Sequence, residues 1–299
     1  MDGIVLVAGA SGYVGGQLVP NLLARGIRVR ALSRNPERLA DLSRQGVEVV
    51  HGDVMDRDSL RSALRGVQAA YYLVHSMSGR GGRSFAEYDR YGAQNFASES
   101  RGLEQVIYLG GLGDPADDLS PHLRSRYEVG QILMAGKAPV TVLRAGMIIG
   151  RESASFIMLR SLVQRLPLMV CPRWVDTRTQ PIAVVDVLGY LVSALGTSEA
   201  LNASFEIGGS DVMTYMEMMN RMGAILGRRH VILKVPVLTP TLSAYWVDLV
   251  TPVPASVAHA LIEGLRNEVV VRDDSARRVL PIPLTPFDQA VRTALAGGQ

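Results

Sequence analysis

The sequence predicts an α/β fold, a Rossmann-like doubly wound parallel sheet with a small C-terminal substrate lobe. Three observations carry that reading. Short apolar runs alternate with helical segments in units of about 20 to 25 residues through the first half of the chain, the pattern of parallel strands with helices on both faces. A glycine turn, Gly9-x-x-Gly12-x-x-Gly15, separates the first apolar run from the first helical pattern. After Gly150 the alternation decays into longer connections punctuated by proline. With 299 residues, 47% of them hydrophobic and 20% charged, the chain can bury a substantial core.

The elements follow in order. Val5-Leu6-Val7-Ala8 is the first strand, and Val14, Leu18, Leu22 and Leu23 recur at helical spacing behind it. Val29 to Ser33 reads as the second strand and Pro36 to Arg44 as a helix with proline near its start. Val47 to Val50 is the third strand, Asp56 caps a helix running through Leu64, and Ala69 to Val74 is a fourth strand apolar enough for burial on both faces. A loop rich in Gly and Arg, 79–83, feeds a helix from Phe85 to about Ser100. Strands follow at Val106 to Leu109 and Val140 to Arg144, with a helix from His122 to Met134 between them. In the second half, Ile182 leads into a helix ending at Leu195, Ala203 to Ile207 is a strand, and Met213 to Met222 carries five methionines on a helical segment, read as core filling. The segment from Val235 to Val253 carries Pro236, Pro240 and Pro252 with Tyr245 and Trp246.

The glycine turn has the form of a pyrophosphate cradle. The first glycine turns the chain, the second admits backbone amides to the phosphates, and the third lets helix and strand close on each other, while the helix N-terminus supplies free N–H donors and partial positive charge. Gly9, Ala10, Ser11, Gly12, Tyr13, Val14 and Gly15 are therefore candidate dinucleotide contacts. At the end of the second strand an acid would bind both ribose hydroxyls and repel a 2′-phosphate. This chain has Ser33 and Arg34, with Arg38 a turn later, so NADP(H) is the expected cofactor and NAD(H) the lesser fit. Asp53 and Val54, after the third strand, are expected at the adenine, the carboxylate accepting from its amino group and Val54 packing on the ring. Residues 1–150 read as the NADP(H)-binding Rossmann domain, and 151–299 as the remaining Rossmann elements and a substrate lobe.

Composition narrows the partners. The 31 basic and 28 acidic residues are scattered, with no basic stripe interleaved with aromatics, so no nucleic acid is expected. A single cysteine, Cys171, read as a buried thiol, excludes an intrachain disulfide and fits a reducing compartment. No apolar stretch reaches the roughly 20 residues of a membrane span, and the N-terminus enters the first strand directly. These features predict a cytoplasmic protein with no transmembrane segment and no signal peptide. No His or carboxylate pair has metal-ligand spacing, so no metal is expected.

The glycine triad, Asp53-Val54 and Leu143-Arg144-Ala145-Gly146-Met147-Ile148-Ile149-Gly150 together resemble the atypical branch of the short-chain dehydrogenase/reductase superfamily. Tyr72-Leu73-Val74-His75-Ser76-Met77 and Tyr108-Leu109-Gly110-Gly111-Leu112-Gly113 are similar to the NAD(P)H-binding proteins related to NmrA-like regulators and the complex I 39 kDa subunit. The resemblance adds Leu73, Val74, His75 and Gly110 to the expected cofactor contacts. It also implies a serine after the fifth strand and a Tyr-x-x-x-Lys helix. Here Gly110-Gly111 stands at the serine, and Tyr127 is followed four residues later by the uncharged Gln131. Without a neighbouring cation a tyrosine is a poor proton relay at neutral pH. Arg126 replaces the lysine only if its side chain folds toward Tyr127. Tyr127 and His75 are the candidate catalytic residues, and Glu128 and Asp89 read as acids on helix surfaces.

These residues point to an NADPH-dependent reductase acting on a small apolar carbonyl, enone or quinone-like substrate, its pocket walled by Met147, Phe156, Met158, Trp174, Tyr245 and Trp246. The alternative is a non-catalytic NADP(H)-binding redox sensor or assembly factor. A nucleotide-sugar epimerase is less favoured, since that chemistry relies on the same Tyr–Lys pair and no basic cluster awaits a substrate diphosphate.

Overall fold

The computed structural model describes residues 3–76, 84–235 and 251–297. Seven parallel strands form the central sheet: β1 (Ile4–Ala8), β2 (Arg28–Ser33), β3 (Glu48–His51), β4 (Val67–Tyr72), β5 (Gln105–Gly111), β6 (Val140–Ala145) and, after four short strands outside this sheet, β11 (Ala203–Ile207). Their spatial order is β11-β6-β5-β4-β1-β2-β3. The order reverses between β1 and β4, so the two connections leave in opposite directions and open a crevice beyond the carboxyl ends of those strands.

The strands are apolar on both faces because each face meets a helical layer. Val5, Val7, Tyr71, Ile107 and Leu143 pack under α1 (Tyr13–Leu23) and α7 (Val184–Ala194). Their neighbours Leu6, Ala8, Tyr72, Val106, Tyr108 and Val142 pack under α3 (Arg57–Ala63), α4 (Phe85–Glu99) and α5 (Pro121–Met134). This alternation follows from the period of two along a strand. Asp56 caps α3 through the N–H groups of Asp58 and Ser59, and Ser84 forms a capping box with Glu87 at the start of α4.

A second core joins α6 (Ala154–Arg165) to α8 (Tyr215–Ile225) and to the helix Phe287–Ala296. The short strands lie in this part of the chain: β7 (Ile148–Ile149) with β10 (Ile182–Ala183), β9 (Arg178–Thr179) with β12 (Met213–Thr214), and β8 (Leu168–Cys171) with β13 (Val231–Lys234).

Several expected bounds are corrected. The segment from Pro36 opens as a 3₁₀ turn over Pro36–Leu39 and becomes α2 only over Ala40–Arg44. β4 ends at Tyr72, so Leu73 and Val74 lie beyond the strand. Met213 sits on β12, and α8 begins two residues later at a Thr214–Glu217 capping box. Met218, Met219 and Met222 are buried core, as expected. Loop 79–83 and Pro236, Pro240, Tyr245 and Trp246 lie outside the described residues.

Candidate functional site

The glycine turn is built from three distinct steric demands. Gly9 has φ +95°, and a Cβ there would stand 2.8 Å from the carbonyl carbon and oxygen of Leu73, the first residue past β4. Gly12 caps α1 with an extended backbone and offers no side chain to the helix, while its N–H bonds the Gly9 carbonyl at 2.9 Å. A Cβ at Gly15 would strike the Gly9 carbonyl oxygen and lie 2.9 Å from its carbonyl carbon and 3.0 Å from Ala10 Cα. The first turn of α1 has no capping side chain and no acid. Among the described residues no side chain satisfies its N–H groups, which leaves the donors and dipole that an anionic pyrophosphate requires.

Tyr13 extends the cradle toward the second half of the chain. Its hydroxyl packs on Gly150, where a Cβ would collide with it. Burial raises the Tyr13 pKa above its ordinary value, keeping it a neutral hydroxyl. Ser11 and Gly12 are exposed along the crevice, and Ala10 and Gly15 are buried beneath it.

At the other side of the crevice the structure joins residues that the sequence kept apart. Arg34 Nη1 donates to Tyr88 Oη at 3.2 Å, and Tyr88 Oη donates to Asp53 Oδ1 at 3.0 Å. Asp53 Oδ1 also accepts the Met55 N–H at 3.0 Å, and among the described residues Oδ2 has no partner. Ser33 is buried, and its hydroxyl is occupied by Asn35, donating to its carbonyl at 2.9 Å and accepting its N–H at 3.1 Å. That turn fixes where Arg34 leaves the sheet. Arg34 and Arg38 are both exposed. Val54 is only 4% exposed and its side chain faces Gly92 of α4 inside the core, while its carbonyl accepts from Asn95 Nδ2 at 3.0 Å. Tyr88 escaped the sequence reading because its spacing with Gly92 and Phe96 marks a buried helix face and says nothing about its hydroxyl.

Beyond β4 and β5 lies a third group. His75 stands three residues past the end of β4, where part of its surface meets solvent. Burial, then Arg126 and His122, hold its pKa well below the usual histidine value. Its ring meets that of His122 edge to face, with centroids 6.2 Å apart. Arg126 does not fold toward Tyr127, since its Nε donates to His122 Nε2 at 3.1 Å. Tyr127 is half-buried on α5, about 100° round the helix from Arg126, and forms no hydrogen bond among the described residues. Asp89, expected on a helix surface, is 4% exposed, its oxygens accepting the Ser76 N–H at 2.6 Å and the Ser125 hydroxyl at 3.3 Å. Burial pushes its pKa up to about 6. Glu128 is a partly exposed acid paired with Arg90. Gly110 is buried over the Tyr108 ring.

Of the expected pocket walls, Phe156 and Met158 are buried in cores of the second half, while Met147 and Trp174 are half-buried. Cys171 is buried and free, its pKa pushed up to about 11 by burial. Among the described residues there is no cluster of metal-ligating side chains, and no helix is long and apolar enough to cross a membrane.

Comparison with known proteins agrees with this geometry. A family model described as NAD(P)H-binding matches residues 9–156. Subunit 9 of the NADH dehydrogenase [ubiquinone] 1 alpha subcomplex from Arabidopsis thaliana mitochondria is 25% identical over 232 residues, 74% of this chain and 58% of its own length. Sterol demethylase protein B from Methylococcus capsulatus, 37% identical, and a 3 beta-hydroxysteroid dehydrogenase/Delta 5-->4-isomerase from Mycobacterium tuberculosis, 34% identical, each match 36% of this chain and only 34% and 28% of their own lengths. Among solved structures, triphenylmethane reductase from Citrobacter sp. complexed with NADP(H) superposes with a TM-score of 0.77 at 20% identity, covering 97% of this chain and 99% of that one. An NADPH-dependent quinone oxidoreductase from Escherichia coli complexed with NADPH gives 0.77 at 17% identity, with 97% and 99% covered. With the glycine cradle inside the matched residues and the sheet order of a dinucleotide-binding fold around it, residues 9–156 form a domain of the NAD(P)H-binding family, and the chain has the fold of the reductases named above.

Proposed function

We propose that this protein is an NADPH-dependent reductase of a small apolar carbonyl, enone or quinone-like acceptor. The observation that carries the reading is the uncapped α1 N-terminus behind Gly9, Gly12 and Gly15, a cradle with room for a pyrophosphate backbone and none for side chains. Arg34, steadied by Tyr88, and the exposed Arg38 would receive a 2′-phosphate, and the position directly after β2 carries an arginine rather than an acid. Asp53 Oδ2 and the backbone of Val54 would receive the adenine, and Leu73, Val74 and Gly110 would border the nicotinamide half. A bound reduced nicotinamide supplies a hydride to an electrophilic carbon. The reductases named above support that chemistry by likeness of fold.

Calorimetric titration with NADPH and NADH tests the cofactor assignment. Arg34→Ala is expected to weaken NADPH about 10- to 100-fold, the worth of a charge-assisted phosphate contact, and to leave NADH unchanged. Equal affinities for the two coenzymes in the unaltered protein would refute it. Oxidation of NADPH at 340 nm against quinones, enones and aldehydes tests the reductase reading.

Gly110-Gly111 and Gln131, standing where serine and lysine serve ordinary members, favour a second reading as a non-catalytic NADP(H) sensor or assembly subunit. Tight NADPH binding with no oxidation across that panel would select it.

A further inference from the structure

Three side chains beyond β4 and β5 form a unit that the dinucleotide cradle does not use. His122 and Arg126 stand one turn apart on the same side of α5, and Arg126 Nε donates to His122 Nε2. A guanidinium has no lone pair to offer, so Nε2 is the acceptor and the neutral ring carries its proton on Nδ1. The fold makes room for this pair. A Cβ at Gly111 would lie 3.0 Å from both Arg126 Cδ and Leu123 Cδ2, so the glycine at the end of β5 is the seat of the arginine stem. Tyr108 Oη donates to the Arg126 carbonyl at 3.0 Å and fixes that turn of α5 above the sheet. His75, three residues past β4, closes the group edge-on to His122. Among the described residues, neither His122 Nδ1 nor the terminal nitrogens of Arg126 have a hydrogen-bond partner.

The ends of β4 and β5 lie across the switch point from Arg34 and Asp53. A dinucleotide whose pyrophosphate rests on α1 must extend one half toward each side, and the half opposite the adenosine reaches the ends of β4 and β5. We propose that His122, oriented by Arg126, is the hydrogen-bond donor that receives the oxygen of the reducible substrate, a conjugated carbonyl compound. This rests on the reductase reading. His122 is then a catalytic residue and Arg126 a positioning residue.

The step balances without any change in the protein's proton count. As the substrate carbon gains hydrogen with its bonding pair, the carbonyl π pair moves to oxygen, directly or through the conjugated double bond. The imidazole N–H shares the developing negative charge. Solvent water then protonates the oxygen or the enolate and leaves hydroxide. An imidazole that stays neutral suits this role. Burial and then Arg126 push the His122 pKa down to about 3.

The test uses the full chain labelled with ¹⁵N-histidine, loaded with NADP⁺, and menadione as the probe. Long-range ¹⁵N–¹H spectra should show His122 in the Nδ1–H form. Arg126→Met should mix the tautomers, and Arg126→Lys should restore the single form. Menadione should move the His122 Nδ1 resonance and leave that of His230 in place. In turnover with NADPH and menadione, His122→Phe should lower kcat about 100-fold with NADPH affinity unchanged, whereas His122→Gln, which keeps an N–H donor, should lose only about tenfold. A His122 resonance unmoved by menadione, or a His122→Phe variant with the original kcat, overturns the proposal. If the unaltered protein does not oxidise NADPH with menadione, the reductase reading falls, and the menadione-induced movement of His122 alone decides the pair. If His122→Phe does not fold, His122→Gln and the two Arg126 variants carry the test.

Discussion

Gly15→Ala is expected to abolish dinucleotide binding and to destabilise the fold by about 3 kcal/mol. The new methyl group would meet backbone on every side, the Gly9 carbonyl and Ala10 Cα, and backbone cannot swing away as a flexible side chain can. Overpacking in a close-packed interior costs about 1 to 3 kcal/mol, and this site lies at the upper end because relief requires α1 to lift off β1. Lifting α1 moves the donors that define the cradle, so stability and affinity should fall together. Gly12→Ala is the control. A Cβ there has only the Gly9 oxygen nearby, at 3.2 Å, and the residue's φ of −84° suits alanine. That variant should fold almost normally and still bind NADPH poorly, since its methyl group occupies the approach of the phosphates. Urea denaturation and calorimetry on the two variants check this. A Gly15→Ala protein with normal stability and normal NADPH affinity would mean that the close approach of α1 to β1 is not what builds the cradle.

The contrast between those glycines shows where sequence reasoning succeeds. The parallel strands and the glycine turn were legible because backbone sterics and apolar periodicity are local properties, written in Val5 to Ala8 and in the spacing of Gly9, Gly12 and Gly15. Asp89 and Arg126 were not legible. A single acid on a helix reads as solvated until α5 is seen to pack on α4, where Ser125 and the Ser76 N–H give the carboxylate its partners. The i,i+4 spacing of His122 and Arg126 was available, but Tyr127 drew the reading by residue type. Only the packing over Gly111 shows which face of α5 looks toward β5. Val54 illustrates the reverse case, a residue expected to pack on the adenine whose side chain turns inward because Gly92 leaves a hollow for it.

Asp89 yields the last prediction, a stability change that depends on pH. Burial raises its folded-state pKa from 3.8 to about 6, against the smaller opposing effects of the Ser76 N–H, Arg126 and the Ser125 hydroxyl. Between those values the folded protein holds a proton that the unfolded chain has released, so stability falls as pH rises through the interval and levels off above it. A tenfold change in proton affinity corresponds to about 1.4 kcal/mol, so the ionised carboxylate costs the folded state about 3 kcal/mol at neutral pH. Asp89→Asn removes that charge and keeps both partners, because the amide oxygen can accept the Ser76 N–H and the amide nitrogen can donate to the Ser125 oxygen. The attraction of Arg126 for the carboxylate is already contained in the raised pKa, so the gain expected from the variant at neutral pH is that same amount, about 3 kcal/mol. Urea denaturation at a series of pH values from about 4 to about 8 should show the variant more stable than the unaltered protein above pH 6, with the two converging near pH 4. Parallel stability curves across that range would mean that Asp89 ionises in the folded protein as it does in the unfolded chain. The carboxylate would then be solvated, and the close packing of α4 against α5 at Ser125 would be wrong.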